Sequence, residues 1–176
     1  MALRIGSKGP DFDLPGVDGK RYSLSSFADK KAVVVIISCN HCPTVVAYED
    51  RMIAIQRDYE EKGVALVAIN PNDEVRYPAD SFEQMGIRAK EKGFNFPYLR
   101  DETQEVARGY GATRTPEVFV LDGNRRLVYH GRIDDNEHEP DRVVSHDLRK
   151  ALDELLAGKP ISTPETTPVG CTVKWK

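Results

Sequence analysis

Cys39-Asn40-His41-Cys42 stands at the end of an apolar run. Two cysteines separated by two residues can close a small disulfide ring, and so can exchange two electrons. The thiolate is the reactive form, and it is favoured where a helix begins, because the exposed N–H groups there carry partial positive charge. A Cys-x-x-Cys can also be half of a structural zinc site, which needs four ligands. The only other cysteine is Cys171, and His130, His138 and His146 form no second paired knuckle with it. That spacing weighs against zinc. Redox chemistry requires the two sulfurs to be close enough to bond reversibly and exposed enough to meet a partner.

The elements around the pair decide whether it can work. Ala32–Ser38 reads as a buried strand, since residues 33–37 are all β-branched. Pro43 to Lys62 reads as a helix closed by Gly63, with proline in the first turn, where its missing N–H has no partner to lose. The sulfurs therefore lie at a strand-to-helix junction. Before it, Asp18-Gly19 between apolar residues signals a hairpin. After it come a strand Val64–Ile69, the loop Asn70-Pro71-Asn72-Asp73 and a helix capped by Asp80 and stopped by Gly93. Tyr98-Leu99 is a short strand and Thr103–Tyr110 a short helix. A hairpin follows from Glu117–Leu121 and Leu127–His130, then a long amphipathic helix Glu139–Ala157 with Val143, Val144, Leu148 and Leu152 on its core side. Strands joined through helices imply parallel neighbours, and the late hairpin an antiparallel edge. The fold class is α/β: a mixed central sheet with helices on both faces. Residues 1–158 read as one domain. Residues 159–176, rich in proline and threonine, read as an extended tail carrying Cys171.

The chain has 176 residues, 40% hydrophobic and 30% charged, with a net charge of −3. These values fit a soluble globular protein with a real core. Both signs of charge are scattered, so neither nucleic acid nor an anionic membrane surface is expected as a partner. The N-terminus has no apolar signal core, and a cytoplasmic location is the expectation. In a reducing compartment the pair would rest mostly as the dithiol. No phosphate-binding glycine loop is present, and no cofactor is indicated. Asp134-Asp135-Asn136-Glu137-His138-Glu139 lacks the ligand pattern of a calcium loop and reads as a solvated acidic turn.

The order strand, Cys-x-x-Cys, helix, and later Thr115-Pro116 entering a strand before a hairpin resembles the thioredoxin superfamily. Gly9-Pro10-Asp11-Phe12, Asp18-Gly19-Lys20, the insertion between Ile69 and Thr115, and Phe119-Val120-Leu121-Asp122 are similar to its redoxin branch, the AhpC/TSA and TlpA-like proteins. The Cys39-to-Pro43 motif and the terminal Gly-Cys-x-x-Lys-Trp look like one bacterial group within it. The resemblance implies a cis peptide at Thr115-Pro116 beside the reactive sulfurs. It also implies a thiol–disulfide oxidoreductase, with Cys39 as attacking thiolate and Cys42 as resolving thiol. Substrates would be protein or small-molecule disulfides, and electrons would come from a thiol donor such as the thioredoxin or glutathione systems. His41, placed as in protein disulfide isomerase, can stabilise a Cys39 thiolate. The expectation is a Cys39 pKa below a free thiol's and a potential less reducing than thioredoxin's roughly −270 mV. Thioredoxin's buried acid on the preceding strand is Val33 here, so water, His41 or a residue from elsewhere must move the resolving thiol's proton. Glu49 and Asp50 on the following helix are expected to face solvent.

Peroxiredoxins offer a second resemblance. Cys42-Pro43-Thr44 matches the latter half of their motif, which implies an antioxidant thiol peroxidase with Cys42 as peroxidatic cysteine and Cys39 or Cys171 as resolving thiol. Two departures count against it. Cys39 takes the place of the family threonine. Pro116 lies where peroxiredoxins carry an arginine, with Arg114 two residues away. Cys171 has the context of a C-terminal resolving cysteine. The stretch from Gly158 to Cys171, about 13 residues at about 3.1 Å each, could span some 40 Å and return to the site.

Overall fold

A computed structural model describes residues 2–176. Its centre is a five-stranded sheet of β3 (Ala32–Ile37), β4 (Val64–Asn70), β5 (Tyr98–Arg100), β7 (Glu117–Leu121) and β8 (Leu127–Gly131). The strand order is β5-β4-β3-β7-β8, parallel from β5 to β3 and antiparallel from β3 through β7 to β8. Alternate side chains of β3 enter opposite layers. Val34 and Ile36 pack with Tyr48, Met52 and Ile55 of α1 (Pro43–Tyr59), Met85 of α2 (Phe82–Lys92) and Leu148 and Leu152 of α4 (Asp147–Leu156). Val33, Val35 and Ile37 pack with Phe12, Phe27 and Ala107 and Tyr110 of α3 (Glu105–Tyr110). Because both faces are covered, the strand reads as an unbroken apolar run. The N-terminal hairpin is present as β1 (Leu14–Pro15) and β2 (Arg21–Tyr22). Among the described residues, no helix is long and apolar enough to cross a membrane.

Two expected helices differ. The long helix over residues 139–157 is a short turn at Pro140–Arg142 and then α4. Between them the backbone bonds sideways: Val144 donates to Asp135 Oδ1 at 3.0 Å, and Asp135 donates to the Ser145 carbonyl at 3.3 Å. Val144, assigned to the core, is exposed. The second helix is capped by Ser81, whose hydroxyl accepts from the Gln84 N–H, and not by Asp80.

The C-terminal segment crosses the body of the fold. His130 exchanges backbone bonds with Pro164 and Thr166 beside β8. Further on, β9 (Cys171–Thr172) pairs antiparallel with β6 (Arg114–Thr115). Val173 is buried in the second layer, Lys174 bonds to Asn72 and Asp73, and the Trp175 ring lies under the Arg108 guanidinium.

Candidate active site

Cys42 is the N-cap of α1, and Pro43 takes the first helical position. Its carbonyl accepts the first helical bond, from Val46, at 2.9 Å. Across from it, the Thr115–Pro116 peptide is cis. Thr115 is buried between the two sulfurs: its Oγ1 lies 3.5 Å from Cys39 Sγ, and its carbonyl oxygen lies 3.5 Å from Cys42 Sγ. Cys39, Cys42, Thr115 and Pro116 are thus brought together.

The disulfide is not the one expected between Cys39 and Cys42. Cys42 is joined to Cys171, with a Cα–Cα distance of 6.2 Å, and Cys39 is a free, buried thiol. The β6–β9 pairing accounts for this, since it sets Cys171 directly opposite Thr115. Nor are the reactive residues open to solvent. Cys39 and Cys42 are each 2% exposed, with Cys171, Thr172 and Lys174 lining the same small cavity of about 130 Å³.

Burial pushes the Cys39 thiol up to about 11, and the Asp80 carboxylate adds to the shift. The Thr115 hydroxyl and the amides of Cys42 and His41 oppose it, as a helix start should, but they lose. The expected lowering is therefore reversed in this state. Desolvation outweighs the dipole because almost no water reaches the sulfur.

A buried acid does act on Cys39, and it comes from the insertion: Asp80. It is fully buried. Its Oδ1 accepts from the Asn40 N–H at 2.7 Å and from Asn70 Nδ2 at 3.2 Å, and its Oδ2 from Asn72 Nδ2 at 2.9 Å. His41 Nδ1 lies 2.9 Å from the same Oδ2, so its ring is engaged by Asp80 while the ring face stacks on Tyr77. Tyr98 donates to Asn40 Oδ1 at 2.7 Å, which fixes the loop between the cysteines. By its place before a helix, Asp80 reads in the sequence as a cap. The signal that could have found it is Asp80-Ser81 itself: one helix needs one cap, and Ser81 suffices.

Other residues were also misjudged or missed. Glu49 is buried, not solvent-facing, and makes a two-point ion pair with Arg88 of α2, one contact at 3.1 Å. Asp50 does face solvent, where it meets Lys92. Glu117, next to Pro116, is buried; it accepts from the Thr113 and Arg114 amides at 3.0 Å and lies 2.6 Å from His130 Nε2. It holds β6 in place for pairing. Among the described residues no group of three or more His, Cys, Asp or Glu is placed to hold a metal ion.

The Redoxin family profile matches residues 4–148. The chain belongs to the redoxin family. This redoxin is similar to the thiol-disulfide oxidoreductase ResA of Geobacillus thermodenitrificans, 26% identical over 128 residues, covering 72% of this chain and 68% of that protein. It is 26% identical over 117 residues to a Mycobacterium tuberculosis protein that carries a peroxiredoxin designation, covering 66% of this chain and 69% of that one. The crystal structure of a hypothetical protein from Sinorhizobium meliloti 1021 matches 100% of this chain and 97% of its own, at 39% identity and a TM-score of 0.94. The redoxin fold here is the thioredoxin-like one, with the insertion that carries Asp80 and α2.

Proposed function

We propose that this redoxin is a thiol–disulfide oxidoreductase that passes two electrons through Cys39 and Cys42, with Cys171 as a third redox thiol. One observation carries the reading: a free Cys39 thiol and a bonded Cys42 sulfur flank a single residue, Thr115, at a helix start. Once a thiol donor has reduced the Cys42–Cys171 bond, the Cys39 thiolate attacks a substrate disulfide, forming a mixed disulfide and releasing one substrate thiolate. Cys42 then attacks Cys39, forming Cys39–Cys42 and releasing the second. Asp80, the buried carboxylate coupled to Cys39, is the group best situated to influence where the thiol proton goes. A thiol donor of the thioredoxin or glutathione kind resets the pair. Protein disulfides are the favoured substrates, and a reducing, cytoplasmic setting suits the reductive direction.

The test is trapping. Cys42→Ser should accumulate a mixed disulfide at Cys39 with a disulfide substrate such as insulin, and Cys39→Ser should lose turnover. Full activity in the Cys39→Ser/Cys42→Ser double variant would end the proposal.

A second reading is favoured by the Cys42–Cys171 bond. Peroxide oxidation of a Cys42 thiolate to sulfenic acid, followed by condensation with Cys171 and loss of water, leaves that same disulfide. Among the described residues, no arginine lines the cavity to support such a thiolate. Consumption of hydrogen peroxide by the reduced protein at rates matching its disulfide reductase activity would favour this reading over exchange.

A further inference from the structure

Cys39 and Cys42 have to meet a partner's sulfur, yet each is 2% exposed while the C-terminal strand is in place. What covers them is peptide in the form a protein substrate would take. β9 lies antiparallel on β6, with Cys171 opposite Thr115 and Thr172 opposite Arg114, and its cysteine is bonded to Cys42. Gly170, just before that cysteine, passes so near β6 that a Cβ would stand 2.0 Å from the Thr115 carbonyl oxygen and 3.3 Å from Pro116 Cδ. Only glycine fits there without displacing the strand.

We propose that Gly170-Cys171-Thr172 is a tethered stand-in for substrate, a covalent gate that occupies the groove beside Cys42 until Cys39 releases it. This rests on thiol–disulfide exchange being the chain's chemistry. It adds a substrate class: an extended protein segment that carries glycine immediately before its cysteine and pairs along β6.

Release is a thiol–disulfide isomerisation. The Cys39 thiolate attacks the Cys42 sulfur. The Cys39–Cys42 bond forms, the Cys42–Cys171 bond breaks, and Cys171 departs as a thiolate that takes up the proton Cys39 gave up. Two electrons stay within the three sulfurs, so no outside oxidant or reductant is consumed. The closed state holds Cys39 protonated by burial and by Asp80, which keeps the gate shut near neutral pH. The anchors on either side define the moving span. Upstream, Thr166 is bonded to His130; downstream, Val173 donates to the Thr113 carbonyl at 3.0 Å, and Lys174 and Lys176 bond to Asn72 and Gln104. Thr167, Pro168 and Val169 make no hydrogen bond to the rest of the described residues. The span between the anchors can bow outward and return. A thiol tethered in this way competes at an effective concentration on the order of millimolar, far above a dilute partner.

The test compares the oxidised wild type with oxidised Cys171→Ser, each mixed with a reduced extended peptide containing Gly-Cys or its Ala-Cys counterpart. Cys171→Ser, whose disulfide is then Cys39–Cys42, should oxidise the Gly-Cys peptide at least roughly tenfold faster than the wild type. It should also prefer Gly-Cys to Ala-Cys. Equal rates for wild type and variant would overturn the gate while leaving the exchange reading intact, and equal rates for both peptides would overturn the substrate class. No reaction of either protein with the reduced peptide, and none of the reduced proteins with the peptide's disulfide, would sink the exchange reading and the gate with it. A second measurement needs no variant: deuterium uptake over residues 113–116 and 167–173 of the wild type should rise on reduction. Unchanged uptake would also overturn the gate.

Discussion

At the scale of single residues, the decisive contest is over the Cys39 proton. Burial and then Asp80 raise its pKa to about 11, above the ordinary value of 9.0, so the folded chain binds this proton more tightly than the unfolded chain does. The group's contribution to stability is therefore fully present below about pH 9 and is lost as pH rises toward about pH 11, at roughly 1.4 kcal/mol for each pH unit crossed in that window. Denaturant titrations at about pH 8 and about pH 10.5 should show the wild type losing more stability than Cys39→Ser across that interval; parallel losses would contradict the assignment. Asp80→Asn removes the charge but not the burial. Its Cys39 alkylation profile should move to lower pH, yet stay above that of a free thiol. The reactive positions were legible because Cys-x-x-Cys, Thr-Pro and the flanking elements are local patterns. Asp80 was not, because its partners Asn40, Asn70 and Asn72 come from separate stretches of chain that only the fold assembles.

At the scale of elements, the insertion carrying α2 is fastened to α1 by Glu49 and Arg88. Glu49 is buried and Arg88 only partly so, and therefore removing the arginine strands a carboxylate in the interior. Arg88→Met should cost about 3 to 5 kcal/mol in a chemical denaturation curve, and Glu49→Gln/Arg88→Met together much less. A cost below about 1 kcal/mol for Arg88→Met would mean that the pair is a surface contact. Sequence periodicity found β3, β4, β7 and α1 to within a few residues, since these carry strong apolar patterns and clear stops. It failed at residues 139–157. There Val143, Val144 and Leu148 keep helical spacing, but the backbone of 144–145 is bonded to Asp135, and the periodicity continues across a break. Glu49 was misread for a related reason: a charge on a helix looks solvent-facing until a partner on another helix is known.

At the scale of the whole molecule, the C-terminal strand links the sheet edge, the active site and the insertion into one strap. Its length and extended composition were legible, and so was its ability to reach the site. Its pairing along β6 was not, because a two-residue strand leaves no periodic signature. The Cys42–Cys171 bond joins positions 129 residues apart, and closing so long a loop stabilises a chain by up to about 5 kcal/mol through the unfolded state. Reduction should therefore lower the denaturation midpoint of the wild type while leaving that of Cys171→Ser nearly unchanged; equal shifts in both would contradict this role. The most direct measurement is differential alkylation of the wild type poised across a series of thiol–disulfide buffers, followed by mass mapping of each cysteine. Cys42 should be one member of every intramolecular disulfide, paired with Cys171 or with Cys39 and never absent from the oxidised pool. A Cys42 that stays a free thiol while the other two become oxidised would contradict the account at its centre.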